Sequence, residues 1–522
     1  MSASEIVQKL WTLCDILRDD GINYSDYVTE LVLLLFIKME YENTEAGILQ
    51  KHMLPEGCRW VDLNAKSGLN LLNYYKRILL TLSTGKDTED QTVVTDALIL
   101  AIYNDAQTRL REPRHLEQLI KALDGIDWFS AQRDGLGDLY EGLLEKNASE
   151  IKSGAGQYFT PRALIDSIVR CIDPQAGEVV QDPAAGTAGF LIAADAYIKE
   201  KTDDLYDLSA SQQNFQRNLA FVGMELVPNT RRLALMNCLL HGMEGDDEGV
   251  VHLGNTLGEA GEGLPPADVI LTNPPFGTAK GGGGPTRSFT YKTSNKQLAF
   301  LQHIVRALKP GGRAAVVLPD NVLFEAGVGT EIRRDLMHKC HLHTILRLPT
   351  GIFYAQGVKT NVLFFRKGTP ENPHQDENCT DQVWIYDLRT NMPSFGKRTP
   401  FSDAHLQPFE NVFAASQRAE GDWSWTEDAA DKSLEGSRWR VFSRDWIESQ
   451  KGDSLDISWI KSQDSVDAAD LPEPEVLAAE AMGELTEALR ELDGLMAALG
   501  AGEQALAQRE LLAEVLGLEL KV

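Results

Sequence analysis

Residues 177–190 read GEVVQDPAAGTAGF, and this stretch decides the fold. A short apolar segment, Glu178 to Gln181, halts at Asp182. Small residues follow as far as Gly189, and Phe190 to Lys199 then carries a helical pattern. A strand that passes through a turn of small residues into a helix is the opening half of a parallel strand–helix unit. The same texture recurs in LAFVGMEL (219–226), VVHLGNTL (250–257), ADVILTNPPF (267–276), GGRAAVVLPDNVLF (311–324), LHTILRLP (342–349) and TNVLFFRKG (360–368). Helical patterns at Thr230 to Leu240 and Asn295 to Leu308 lie between them. These segments predict an α/β fold, a parallel sheet with helices on both faces. In such sheets ligands sit at the carboxyl ends of the strands.

Outward from this core the pattern changes on both sides. Residues 1–150 read as helices: Val7, Leu10, Trp11, Cys14 and Leu17 recur at spacings of 3 and 4, and Tyr27, Leu31, Leu34, Leu35 and Met39 repeat the pattern. Asn23 and Ser25 stand where the second helix could be capped. Residues 371–472 are irregular and polar, and no fold is legible in them. After Pro472 and Pro474, apolar residues from Ala478 through Met482, Leu485, Leu489, Leu492 and Met496 to Leu499 alternate 4 and 3 apart. That is an a/d seam of about three heptads, and a second helical run carries Leu506, Leu511, Leu512, Val515 and Leu516. An amphipathic hairpin packed on its own domain and a docking element for another chain both fit. The expected division is 1–150 helical, 151–370 the α/β catalytic domain, 371–472 an extension of it, and 473–522 a helical tail.

Composition narrows the class. The 522 residues hold 50 Lys plus Arg against 77 Asp plus Glu, a net charge of −27. Residues 451–522 alone carry 16 acidic and 5 basic side chains. Such a chain does not coat nucleic acid non-specifically, because that requires clustered positive charge, although a local basic groove is compatible with it. Six scattered cysteines without a C-x-x-C pair suit buried, reduced thiols better than a zinc site or a disulfide framework. The start shows no signal peptide, and the longest apolar run, Leu31 to Met39, contains Lys38 and is about half a membrane span. A soluble, cytoplasmic chain is expected.

The chemistry gathers at the strand ends. Asp182 to Phe190 lacks the G-x-G-x-x-G spacing of a dinucleotide loop, and a carboxylate ahead of the turn would repel a pyrophosphate. It suits a ligand with a positive amino group, such as the methionine part of S-adenosylmethionine, held against Gly186, Thr187, Ala188 and Gly189 at a helix N-terminus. A plain strand-to-helix turn fits the same residues. Glu225, ending the next strand, is placed to accept hydrogen bonds from ribose hydroxyls, or is simply an exposed charge. The 43 residues from Asp182 to Glu225 imply an insertion around Thr202 to Gln216. Asn255 could contact an adenine ring.

Asn273-Pro274-Pro275-Phe276 is the sharpest signal. Two prolines stop the ladder and stiffen the backbone. They fix an amide side chain, the Pro274 carbonyl and an aromatic ring at one point, a trio that fits a planar exocyclic amine. Two acceptors would draw the nitrogen lone pair out of conjugation, so catalysis would be positioning and electrostatics without a strong base. An adenine in a duplex must be flipped out to reach such a site.

In this order, DPAAGTAGF, GMEL, GNTL and NPPF resemble the motifs of amino-group DNA methyltransferases. AGQYFTPR (155–162), DPAAGTAGFL (182–191), LALMNCLLH (233–241), LPDNVLF (318–324), HLHTILRLPTGIFYAQGVKTNVLFF (341–365) and DLRTNMPSFGKRTPF (387–401) resemble the modification subunit of type I restriction–modification enzymes. The resemblance covers essentially the whole chain. It implies a Rossmann-like S-adenosylmethionine-dependent methyltransferase sheet between an N-terminal helical domain and a C-terminal helical tail. It implies that Gln157, Tyr158, Phe159, Thr160, Pro161 and Arg162 contact the cofactor together with Asp182, the glycine loop, Glu225 and Asn255. Asn273, Pro274, Pro275 and Phe276 would be catalytic, with no metal. The implied reaction is methylation of adenine N6 in double-stranded DNA. A separate specificity subunit would read the target, two modification subunits would serve each specificity subunit, and a restriction subunit could join. The loop Gly277 to Arg287, with Lys280 and Gly281 to Gly284, reads as able to meet phosphates.

Three rivals share part of this pattern. A methyltransferase acting on a protein glutamine faces the same conjugation problem, but more often has Tyr where Phe276 stands. A non-catalytic binder of the cofactor would tolerate loss of Asn273. A cytosine-amino enzyme usually has Ser in that place.

Overall fold

In the computed structural model the chain divides into two compact units, residues 1–460 and 461–522. The structure describes residues 3–460 except 23–25, 48, 50, 90, 95, 127, 129–135, 151–159, 278–284, 354–357, 397–398 and 418–437. Asn23, Ser25, Gln157, Tyr158, Phe159, Lys280, Gly281 to Gly284 and the heptad tail lie outside the described residues.

All seven apolar segments are strands: β1 (Val180–Asp182), β2 (Phe221–Glu225), β3 (Val251–Leu253), β4 (Ala267–Thr272), β5 (Leu308–Pro319), β6 (Cys340–Arg347) and β7 (Thr360–Lys367). Two more, β8 (Gln382–Asp387) and β9 (Trp439–Ser443), complete one sheet in the order β3-β2-β1-β4-β5-β7-β6-β8-β9. From β3 to β5 every pairing is parallel. The expected parallel pairing does not extend to β7, which runs antiparallel between β5 and β6. No helix is described between β6 and β7, and a parallel return needs a crossover, usually helical, whereas an antiparallel one does not. β8 and β9 come from the stretch whose sequence showed no fold. β8 pairs parallel with β6 and antiparallel with β9.

Helices cover the sheet where the sequence put them, at Gly189–Lys201, Pro228–Leu240 and Lys296–Ala307. The last is capped by Asn295, whose Oδ1 accepts from the amides of Gln297 and Leu298. The inserted stretch after Thr202 is the helix Ala210–Asn218, started by a Ser209–Gln212 capping box. Before the sheet come helices including Ala3–Thr12, Cys14–Asp19, Tyr27–Glu45 and Gly68–Thr84. Tyr27–Glu45 is buried almost all round from Tyr27 to Glu40 and carries Glu30, Lys38 and Glu40 into the core. Each is satisfied there. Lys38 Nζ pairs with Glu42 at 2.7 Å and Asp124 at 2.8 Å, Glu30 accepts from Thr108 and the Arg109 amide, and Glu40 accepts from the Met53 amide. The run Leu31 to Met39 is thus the centre of a helical domain, and none of the described helices is long and apolar enough to cross a membrane. All six thiols are free, and Cys171 alone is not fully buried.

β1 sits between β2 and β4, in register at Val180 with Phe221 on one side and Val269 on the other. Gly223 on β2 is what lets the turn after β1 fold back over the strand ends. A Cβ there would stand 2.9 Å from the Ala185 Cβ and 3.1 Å from Leu191 Cδ1. Because the Ala185 Cβ is carried on the backbone, it cannot rotate away. Gly223→Ala is therefore expected to cost about 1–3 kcal/mol through overpacking, read as a lower midpoint in denaturant unfolding. An unchanged midpoint would show that the turn yields freely.

Candidate active site

The carboxyl ends of β1, β2 and β4 adjoin, and each contributes a polar group. Asp182 ends β1 with its side chain buried, and Oδ1 accepts from the Ala184 amide at 3.0 Å, closing the turn. Gly186 (φ +55°) and Ala188 (φ +70°) both adopt the left-handed region. Ala188 is the N-cap of the helix Gly189–Lys201. A Cβ on Gly186 would meet nothing within 4 Å, so the turn faces open space. The Thr187 carbonyl accepts from Asn237 Nδ2 at 3.0 Å, and the Pro183 carbonyl from Thr256 Oγ1. The turn is thus pinned from two other elements, the helix Pro228–Leu240 and the loop after β3.

Glu225 ends β2 and is buried, so it is not an exposed strand-end charge. Its Oε2 accepts from the Gly186 amide at 3.1 Å and its Oε1 from the Val227 amide at 2.8 Å. This carboxylate therefore ties the second strand end to the glycine turn. Burial pushes its pKa up, against the pull of those amides. Asp182 is pushed up further, to about 7, by burial first and the neighbouring Glu225 charge second, while the Thr272 hydroxyl and the Ala184 amide pull it down. No cation among the described residues offsets either carboxylate. Two buried acids at adjacent strand ends, beside the turn that opens a helix, fit a ligand that brings positive charge. Asn255 has a local role: its Oδ1 accepts from the Leu257 amide at 3.0 Å, forming an Asx turn after β3.

At the end of β4, Asn273 Nδ2 donates to Thr160 Oγ1 at 2.9 Å. Its Oδ1 is buried and has no hydrogen-bond partner among the described residues. The Phe276 ring stands edge-on to Phe353, with centroids 6.5 Å apart and planes at 75°. Thr160 is buried. Pro161 caps the helix Arg162–Ile172, its carbonyl accepting from the Leu164 and Ile165 amides. Arg162 is committed elsewhere: its guanidinium pairs with Glu141 and, at 2.9 Å, with Asp166. Glu141 also belongs to a trio with Asp138 and His241 whose ligand-type atoms lie within 4.8 Å of one another.

Arg287 departs from expectation. It does not reach outward to phosphates. Its side chain is 7% exposed, its guanidinium hydrogen-bonds His303 Nδ1, and it lies over the Phe289 ring. Burial and the Arg287 and Arg306 charges drive His303 down to about 3, which keeps the imidazole neutral and able to accept. With the Thr286 amide bonded to the Leu257 carbonyl, Arg287 anchors the far end of its loop.

Sequence reasoning missed Phe353, Asn237, Thr256 and the Thr160–Asn273 contact. Phe353 lies in GIFYAQ and Asn237 in LALMNCLLH, segments singled out only for resemblance. Asn237, a polar residue inside an apolar helical run, is the one whose pattern could have signalled a role.

Comparison with known proteins agrees with this geometry. Residues 131–435 match the N-6 DNA Methylase family, residues 6–123 the HsdM N-terminal domain, and residues 471–514 the C-terminal domain of type I restriction enzyme methylase subunits. The chain is 57% identical to the StySJI methylase subunit of Salmonella typhimurium, with 99% of each chain covered. It is also 57% identical to the EcoKI methylase subunit of Escherichia coli K12, again over 99% of each. The crystal structure of the EcoKI M protein matches with a TM-score of 0.57 at 54% identity, covering 98% of this chain and 99% of that one. A structure from a study of assembly and conformational transition in a type I system matches with a TM-score of 0.68 at 26% identity, covering 96% and 99%. The strand order β3-β2-β1-β4-β5-β7-β6, a buried acid pair at the glycine turn and an Asn-Pro-Pro-Phe strand end thus occur in a chain that belongs to the N-6 DNA methylase family, among the methylase subunits of type I restriction enzymes.

Proposed function

We propose that this chain moves the methyl group of S-adenosylmethionine to N6 of an adenine flipped out of double-stranded DNA, with the target sequence read by a separate specificity subunit. The observation that carries this reading is the Asn273 amide, held at Nδ2 by Thr160 while its buried Oδ1 has no described partner. A buried acceptor without a donor is costly, and an exocyclic amine brings the donor it lacks. The Pro274 carbonyl would accept the amine's second N–H, and Phe276 with Phe353 would present aromatic surface to the base. Both acceptors favour the tetrahedral nitrogen that forms as the methyl group arrives. No side chain has to remove a proton before transfer.

The cofactor's sulfonium supplies an activated methyl group and a neutral leaving group. Asp182 and the turn Gly186 to Gly189 would hold its amino acid part, and Glu225 its ribose. The open space at Gly186 and the uncompensated Asp182 carboxylate support this fit. Thr160, Pro161 and Asn255 would frame the cofactor through backbone and loop shape, and Arg162 would brace that frame. Gln157, Tyr158 and Phe159 keep the cofactor-binding role that the resemblance implies. In the assembly, two copies of this chain would serve one specificity subunit, a restriction subunit would join the same complex, and the setting is the bacterial cytoplasm. Residues 473–522 are the proposed docking segment, and residues 471–514, which overlap most of it, match the family's C-terminal domain.

Three measurements test the reading. Sequencing of native DNA for N6-methyladenine, with and without the gene, is expected to show the mark lost at one split motif. An unchanged map from an expressed gene would overturn the reaction. Asp182 must be ionised to meet a cationic ligand, and its pKa stands near 7 in the free protein. Cofactor affinity is therefore expected to rise with pH up to about 7 and to fall below it, approaching tenfold per pH unit. Calorimetry from pH 5.5 to 8.5 would show this, with Asp182→Asn binding weakly and without that slope. A slope identical in Asp182→Asn would assign the proton to another group. Removing residues 474–522 is expected to abolish co-purification with the specificity subunit, and a truncated chain that still co-purifies would refute the docking assignment.

A further inference from the structure

Building on the proposed reaction, we infer that Thr160 is a positioning residue, whose hydroxyl accepts from Asn273 Nδ2 and so holds the amide with Oδ1 free for the target amine. An asparagine amide can turn about its last bond to present either an acceptor or a donor, and the two ends occupy nearly the same volume. Methyl transfer to an amine tolerates one of them. With Oδ1 inward the site accepts an N–H, and with Nδ2 inward it places a donor against a donor. The prolines that follow fix the Asn273 backbone and leave this rotation free. Some neighbouring group has to set it.

Thr160 Oγ1 is the partner Asn273 has, accepting from Nδ2 at 2.9 Å and leaving Oδ1 without one among the described residues. The hydroxyl is well placed to hold a direction. It is buried, and it directly precedes Pro161, whose φ of −56° starts the helix Arg162–Ile172. That helix is seated by buried Leu164, Ile165, Ile168 and Val169, and its first residue is clamped between Glu141 and Asp166. Ile165 also packs against Gly189, where an added Cβ would stand 3.1 Å from its Cδ1. One rigid element therefore touches both the glycine turn and the amide. Thr160 links the proposed cofactor side to the proposed base side across 113 residues of sequence.

The inference separates Thr160 from a residue that only binds cofactor. Thr160→Val keeps the shape and removes the acceptor, while Thr160→Ser keeps the acceptor. In the full complex with the specificity subunit and a target duplex, single-turnover methylation at saturating cofactor is expected to slow about tenfold in Thr160→Val, the usual effect of one lost hydrogen bond. It should stay within about threefold of the parent in Thr160→Ser. Cofactor affinity, measured by calorimetry, is expected to change less than about threefold in Thr160→Val, which also verifies folding. The cycle with Asn273→Ala is the sharper readout: Thr160→Val should slow the parent and add nothing to Asn273→Ala. Equal slowing in both backgrounds would make Thr160 a purely structural residue and overturn the inference. So would full activity in Thr160→Val, or weakened cofactor binding with an unchanged saturated rate. The proposed reaction itself fails on a different result, a parent complex that leaves no methyl group on adenine.

Discussion

The parallel pairing of β1 with β2 on one side and β4 on the other is the constraint on which the site depends. It ends three strands side by side, so that Asp182, Glu225 and Asn273 meet although 91 residues separate the first from the last. Parallel strands require crossovers, and those crossovers are the helices Gly189–Lys201 and Pro228–Leu240. The first of them gives the site its helix N-terminus, and the second sends Asn237 back to the Thr187 carbonyl. One pairing pattern thus supplies the acids, the free amides and the brace that holds the turn. Gly223 is its tightest point, since the turn crosses β2 where no Cβ fits.

Buried charge is treated in two ways in this chain. In the helix Tyr27–Glu45, Glu30, Lys38 and Glu40 are each surrounded by partners, as desolvated ions must be. At the strand ends Asp182 and Glu225 receive amides and a hydroxyl but no cation, and both are pushed up in pKa. Burial pushes Glu30 up as well, but the Arg109 charge offsets part of that and Lys38 is paired with two carboxylates; on the proposed reading a positive ligand would do the same at the turn. Asn273 repeats the contrast in neutral form, with one end of its amide bonded and the other bare.

Much of this was legible in the sequence because strand ends are marked by abrupt changes of residue type. All seven apolar segments that stop at small or polar residues are strands, and the capped helix at Asn295 begins where its amide predicts. Strand direction left no such mark. TNVLFFRKG is buried like its neighbours, and its reversal goes with a short link in which no helix is described. β8 and β9 were hidden for a different reason. QVWIYD and WRVFS are short, lie at the edge of the sheet and are 51 residues apart, and the helix between them, Asp403–Gln417, carries Pro408 inside it, which obscures the pattern that would announce it. Charged residues were harder to place. Arg287 read as able to meet phosphates, yet it is stacked on Phe289 and bonded to His303, and Glu225, read as a ribose contact or an exposed charge, is buried and closes the glycine turn. A hydrophilic letter reports solvation only when no partner has been folded against it. The Thr160–Asn273 bond was out of reach for the same reason, since it joins residues 113 apart.

The chemistry also explains a division of labour on the proposed reading. A site that works by one amide, one carbonyl and two aromatic rings contacts the exocyclic amine and the faces of a single base. It has nothing with which to read neighbouring base pairs, since sequence readout needs side chains laid along a groove. The loop after Phe276 does not supply them through Arg287, which is turned inward to hold that loop. A chain with a net charge of −27 is also a poor searcher of DNA by itself, because non-specific attraction comes from cations released against phosphates. Holding a target and choosing it therefore call for different surfaces. Delegating the choice to a partner leaves this chain free to keep a small, rigid and uncharged catalytic centre.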